Sequence, residues 1–272
     1  MSKLKALFIG NCHNNGLIHF LSQSNQFKNT YDIKQYANWE LIESKESIPI
    51  NDIKNADLFI YQPLSDVHGC YSTNPNVENS IGSFVKNSCK KISYPYVYCS
   101  SLWPIIQAAK GENRWFGNKP IDDLIKKGHS FSEIIEMYDN DLIDWQYSSR
   151  FNETLNILKD KESITDLKIS SYIEDNISKE LLFLIPQHPT SKIFHKLSND
   201  ILNILGMDEL ITDCINSIND AKLLDTTYSR PDCMFPIHKS VTKNYNFSFS
   251  DNYELDSKQF YKDLIKHYIN IN

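Results

Sequence analysis

The chain opens on an apolar run, Leu4-Lys5-Ala6-Leu7-Phe8-Ile9, that stops abruptly at Gly10-Asn11-Cys12-His13. A short run bounded by glycine reads as a buried strand. Gly16 followed by Leu17, Ile18, Phe20 and Leu21 reads as the helix after it. Comparable runs predict strands at Tyr31–Tyr36, Asp57–Tyr61, Tyr96–Cys99 and Leu181–Ile185. Leu58-Phe59-Ile60-Tyr61 does not alternate, as expected of a strand covered on both faces. Pro95 suits the first position of the fourth strand, where a missing N–H costs least. Helical patterns separate most of these runs, which predicts βαβ units and an α/β fold around a mainly parallel sheet of about five strands.

Between Lys119 and Asn176 the periodicity turns helical. Ile121, Leu124 and Ile125 mark one helix. Phe131, Ile134, Ile135 and Tyr138 mark another, behind a capping box of Ser130 and Glu133. Phe151–Glu162 and Ile164–Ile177 continue the series. After Pro186-Gln187-His188-Pro189, a helix from Thr190 to Leu205 is closed by Gly206, and Lys258–Ile269 forms a last one. The expected division is an α/β core over 1–110, a helical subdomain over 111–178, and a segment over 179–272 that completes the core.

Composition narrows the class. The 272 residues are 41% hydrophobic and 12% aromatic, enough to bury a substantial core. No apolar run approaches the roughly 18 residues of a membrane span. Met-Ser-Lys leads directly into a strand without a signal-peptide pattern, so a cytoplasmic protein is expected. A formal charge of -6 disfavours nucleic acid as a partner. The six cysteines are scattered with no C-x-x-C pair, so no metal site is expected.

Chemistry-bearing residues gather where strands end. The turn after the first strand holds up Cys12 beside Asn11, and Gly10 permits close backbone approach. A helix N-terminus favours negative charge, the condition a thiolate needs. Gln62, after the Leu58–Tyr61 strand, and Asn76 offer amides for an oxyanion, as does Asn11. His188, held between prolines, and His238 in Phe235-Pro236-Ile237-His238 are rival general bases. His13 ranks below both, since adjacent residues on a turn usually point apart. Asp66, Glu78 and Asp232 are the candidate partners that would orient the histidine.

Together these blocks resemble the WcbI family of polysaccharide-biosynthesis enzymes. The segments that carry the resemblance are Ile9-Gly10-Asn11-Cys12, Ala56–Pro63 and Phe183–Thr190, with Arg150–Glu162 and Phe235–His238 similar too. The resemblance implies an α/β core with a helical part, coenzyme A as acyl donor, and a sugar acceptor. The Gly10-Asn11-Cys12 opening is also similar to the Gly-Asp-Ser of SGNH esterases, so a Rossmann-like or SGNH-like sheet is expected. The family resemblance also implies a cysteine-centred site, which maps onto Cys12, with the histidine on His188 or His238. His13 stands where relatives carry Gln after the cysteine. The expected activity is acetyl transfer from acetyl-CoA to a sugar hydroxyl of a capsular or surface polysaccharide, with capsule-assembly proteins as partners. Gly10 and His13 would border the cofactor, and Arg114, Arg150, Lys192 and Arg230 would hold its phosphates. Competing readings are a thiol hydrolase or esterase on the same scaffold, and a non-catalytic CoA- or nucleotide-binding module.

Overall fold

The opening apolar run forms β1 (Leu4–Gly10), whose last five residues are buried. β1 lies between β2 (Tyr31–Ala37) and β3 (Leu58–Tyr61), with β4 (Lys90–Ser93) beyond β3. All three pairings are parallel. The order β2-β1-β3-β4 makes β1 the point where successive connections diverge to opposite sides. The crevice outside the carboxyl ends of β1 and β3 is therefore where this topology puts a ligand. Gly10 pairs with Ala37 and Ile9 with Tyr61, so the three strands end level. The computed structural model describes residues 2–103, 119–212, 235–237, 239–248 and 257–271.

Both faces of β1 and β3 are covered, which explains their runs without alternation. Leu7, Ile9 and Phe59 cluster with Leu41, Ile53 and Ile81. Phe8 and Ile60, next along their strands and so on the opposite face, are also fully buried. Helix α1 (His13–Leu21) packs along the helix Ser191–Leu205. Gly16 makes that approach close: a Cβ there would fall 2.5–2.7 Å from the Phe194 ring.

At the opposite edge of the sheet, Asp57 accepts from the Lys5 backbone N–H at 2.8 Å and from Lys86 Nζ at 2.7 Å. The Lys86 bond, then the backbone bond, holds the Asp57 carboxyl below its ordinary 3.8. A depressed folded-state pKa gives stability that is present above the unfolded value and lost as pH falls through the folded one. Asp57→Asn is expected to cost about 1 kcal/mol at pH 7. Denaturant unfolding of both proteins should show that difference closing once the pH passes below 3.8.

The sheet departs from expectation at its edge. The fourth strand is Lys90–Ser93, and Tyr96–Cys99 is not a strand. Tyr94 N–H makes the last bond across to β3, to Tyr61 O at 2.9 Å, and Pro95 has no N–H to continue the ladder. The outer side of β4 is closed by Asp166, which accepts from the Ser93 N–H and hydroxyl, both at 2.7 Å. The four-stranded sheet also lacks the fifth predicted strand. That strand, β5 (Phe183–Ile185), pairs instead with β6 (His188–Pro189) in a two-stranded ribbon.

Helix signals behave more regularly. Ser130 and Glu133 form the expected capping box on Phe131–Asp139. Gly206 ends Ser191–Leu205 with φ of 69°. The helix expected over Ile164–Ile177 is shorter, Ser170–Asn176. Buried Glu162 accepts from the N–H groups of Ile169 (2.5 Å) and Ser170 (2.7 Å), and this fixes the start.

The described residues fall into two compact units. One, within Met1–Val97, Leu158–Ser171 and Pro189–Pro231, contains the sheet. The other, within Tyr98–Ile157, Tyr172–His188 and Asp232–Asn272, is mostly helical. In it Lys262 pairs with Asp139 at 2.7 Å, and Trp103 Nε1 donates to Phe235 O at 3.1 Å. No helix among the described residues is long and apolar enough to cross a membrane.

Candidate active site

The sheet unit brings its polar side chains together where β1 ends. Gly10 is the enabling residue: a Cβ there would fall inside contact distance of Tyr94 Oη and 2.9 Å from Asn14 Oδ1. With no side chain in the way, the Tyr94 hydroxyl donates to Asn14 Oδ1 at 2.6 Å, across the end of the strand. Burial pushes the Tyr94 phenol well up, and negative charge on the nearby Cys12 adds to this. Tyr94 therefore stays protonated and stays a donor.

The turn itself is tied to β3. Asn11 N–H donates to Gln62 Oε1 at 2.8 Å, and Asn11 Oδ1 accepts from His13 N–H at 3.0 Å. Using Gln62 Oε1 in this way turns its Nε2 toward His13 Nδ1, at 3.4 Å. The amide is the donor there, so Nδ1 accepts and the neutral imidazole carries its proton on Nε2. The His13 ring is buried, stacked on Tyr96 at 5.5 Å between centroids and edge-on to Phe194 at 5.8 Å. Lys161 Nζ lies 4.7 Å from the centroid of the same Tyr96 ring, and burial pulls its ammonium below the usual lysine range.

Cys12 sits at the N-terminus of the nine-residue α1, partly exposed. Its carbonyl accepts from Asn15 N–H at 3.1 Å, which aligns the first turn. The sulfur therefore lies at the positive end of the helix. Cys12 also lines a cavity of about 210 Å³ together with Asn11, Asn15, Gln35, Trp39 and Glu40. A thiol at a helix N-terminus, on a polar cavity at the switch point of a parallel sheet, has what nucleophilic chemistry needs.

The predicted site residues do not all gather here. Gly10, Asn11, Cys12, His13 and Gln62 meet at this turn. Gln62 is buried and braces the turn with both ends of its amide. Asn76 is exposed beyond β3, its N–H bonded to Asn74 Oδ1 at 3.0 Å, and Asn74 Nδ2 donates to Asp66 at 3.0 Å. Glu78 is exposed on the same loop. Lys192 is half-buried in the first turn of Ser191–Leu205. His188 and Arg150 belong to the helical unit, and both are buried. Burial lowers the Arg150 guanidinium somewhat, against the opposing pull of Glu153 and then Tyr147. His238, Arg114, Arg230 and Asp232 lie outside the described residues. Sequence reasoning missed Asn14, Tyr94, Tyr96, Lys161 and Trp39. For Asn14 a local signal exists, since it lies just past the end of the first strand, beside Cys12. Among the described residues no group of three or more His, Cys, Asp or Glu is placed to hold a metal.

The chain matches the family model described as polysaccharide biosynthesis enzyme WcbI over residues 5–210. Among solved structures it is similar to one described as WcbI, a novel polysaccharide biosynthesis enzyme, native protein without a disulfide bond between coenzyme A and a cysteine. That likeness has a TM-score of 0.67 at 15% identity, over 99% of this chain and 91% of the other, and at such identity it speaks for the fold. No curated protein matches the chain.

Proposed function

The chain belongs to the WcbI family of polysaccharide biosynthesis enzymes, and from that premise we propose that it transfers acetyl from acetyl-CoA to a sugar hydroxyl through Cys12. The observation that carries this reading is the Cys12 thiol at the N-terminus of α1, lining a polar cavity. The related protein's description, which names coenzyme A together with a cysteine, supports coenzyme A as the carrier of the donor group.

In the first half-reaction the Cys12 thiolate attacks the acetyl carbonyl of acetyl-CoA. The C–S bond to coenzyme A breaks, its thiolate leaves and takes up a proton, and acetyl remains on Cys12 as a thioester. In the second, a sugar oxygen attacks that carbonyl, its proton passes to a base, and the Cys12 thiolate is released. Asn11 uses its Oδ1 in the turn, which leaves Nδ2 as the amide end suited to the oxyanion. Gln62 positions the turn rather than donating to the oxyanion. His13, fixed by Gln62 with its proton on Nε2, is the histidine closest in the chain to the reacting sulfur. His188 and His238 remain the candidates for moving the sugar proton. Arg150, Lys192, Arg114 and Arg230 are the proposed phosphate holders, because paired N–H donors and ammonium groups suit phosphate. The acceptor belongs to a capsular or surface polysaccharide.

The test is to follow release of coenzyme A thiol from acetyl-CoA while a panel of monosaccharides is supplied, with mass analysis of the sugars. Acetyl gained by a sugar, with one thiol released for each, supports the reading. Thiol release with acetate as the product would make the protein a hydrolase. No release with any acceptor would overturn acetyl transfer.

A further inference from the structure

We infer that the cavity bounded by Cys12, Trp39 and Glu40 is the acceptor subsite and takes one uncharged sugar ring, stacked on Trp39. This inference rests on the reading that the acceptor is a sugar.

Trp39 is the observation that starts it. It is 46% exposed, whereas Trp103 and Trp145 are buried. A half-exposed indole offers an apolar face, and an aromatic face with a few polar groups beside it is the usual makeup of a binding site. Here the indole borders a cavity lined mostly by polar groups, including the Asn11, Asn15 and Gln35 amides and the Glu40 carboxylate. A pyranose presents the same two characters: C–H bonds on its faces and hydroxyls around its rim. The face suits the indole. The amides donate to and accept from hydroxyls, and the carboxylate accepts from them.

Size and charge narrow the ligand further. At about 210 Å³ the cavity is smaller than the roughly 300–1,000 Å³ of sites for drug-sized ligands, so it takes one ring rather than a whole coenzyme. Ala37, which pairs with Gly10 at the strand end, lines the cavity with a small side chain. Among the described lining residues Glu40 has the one carboxyl side chain, and none is a lysine or arginine. Phosphates and uronate carboxylates are therefore disfavoured here, which leaves the coenzyme's phosphates to be held elsewhere. Cys12 lines the same cavity, so a hydroxyl of the bound ring lies beside the sulfur that would carry the acetyl group.

The test uses the whole chain. Saturation-transfer NMR and steady-state KM are measured with methyl glycosides of neutral hexoses and with glucuronate, for wild type, Trp39→Ala, Trp39→Phe and Glu40→Gln. KM for the neutral sugar should rise about tenfold or more in Trp39→Ala. Trp39→Phe should recover most of that loss, Glu40→Gln should weaken neutral sugars less, and glucuronate should bind poorly to wild type. A neutral-sugar KM unmoved by Trp39→Ala, or glucuronate bound as well as neutral hexose, would overturn the subsite. If wild type binds neutral sugars through Trp39 but takes no acetyl from acetyl-CoA, the subsite stands and the acetyltransferase reading falls.

Discussion

Cys12→Ser is expected to lower acetyl transfer by about 10³-fold or more with the fold intact. The substitution exchanges one atom of a residue that lines the cavity, and three bonds that brace the turn do not run through it. The bonds from Asn11 N–H to Gln62, from His13 N–H to Asn11, and from Tyr94 to Asn14 all remain. The change is in the proposed nucleophile. A thiol ionises within reach of neutral pH and a helix N-terminus favours that ionisation, whereas a serine hydroxyl at the same place stays protonated. Steady-state rates alongside thermal melts check this result. An unchanged melt with lost transfer places the loss on the sulfur, and a Cys12→Ser enzyme near wild-type rate would remove the sulfur from the chemistry.

Gly10→Ala acts on the same site from beneath. Its methyl group would push between Tyr94 Oη and Asn14 Oδ1, a pair bonded at 2.6 Å inside the core. Overpacking costs about 1–3 kcal/mol, and a buried hydroxyl or amide left unpaired adds a comparable amount. A fall in melting temperature of roughly 5–10 °C is expected. Transfer should fall as well, because the turn that presents Cys12 shifts. The double variant Gly10→Ala, Tyr94→Phe removes the atom the methyl strikes, so it should be more stable than the sum of the single effects. Strict additivity in differential scanning calorimetry would show that Gly10 and Tyr94 do not act on each other.

Part of this architecture is written locally in the chain. Leu4–Gly10 stops at a glycine, and the strand, the turn and the switch-point edge follow from that stop. The capping box of Ser130 and Glu133 and the left-handed Gly206 are equally local, and both form as their residue types require. Lys90–Ser93 hides because its first two residues are exposed lysines at a sheet edge, so the apolar signal shifts onto Tyr96–Cys99. Only Pro95, which lacks an N–H, betrays where the ladder must end. Tyr94 and Asn14 are 80 residues apart in the chain, and no periodicity shows that one reaches the other. Gln62 was legible as a residue at the right edge, but not its use as a brace, which depends on where Asn11 N–H points. The return of Asp166 to close β4 is likewise a long-range bond, 73 residues away in sequence. The turn that presents Cys12 is thus local information, whereas what supports it and what borders its cavity are not.

Cys12 as an acetyl carrier is the central claim, and intact-mass analysis of the purified chain with acetyl-CoA tests it most directly. Wild type should gain one acetyl group that is absent from Cys12→Ser and is lost when an acceptor sugar is added. A wild-type protein that gains no acetyl group, or a Cys12→Ser protein that gains the same one, would contradict it.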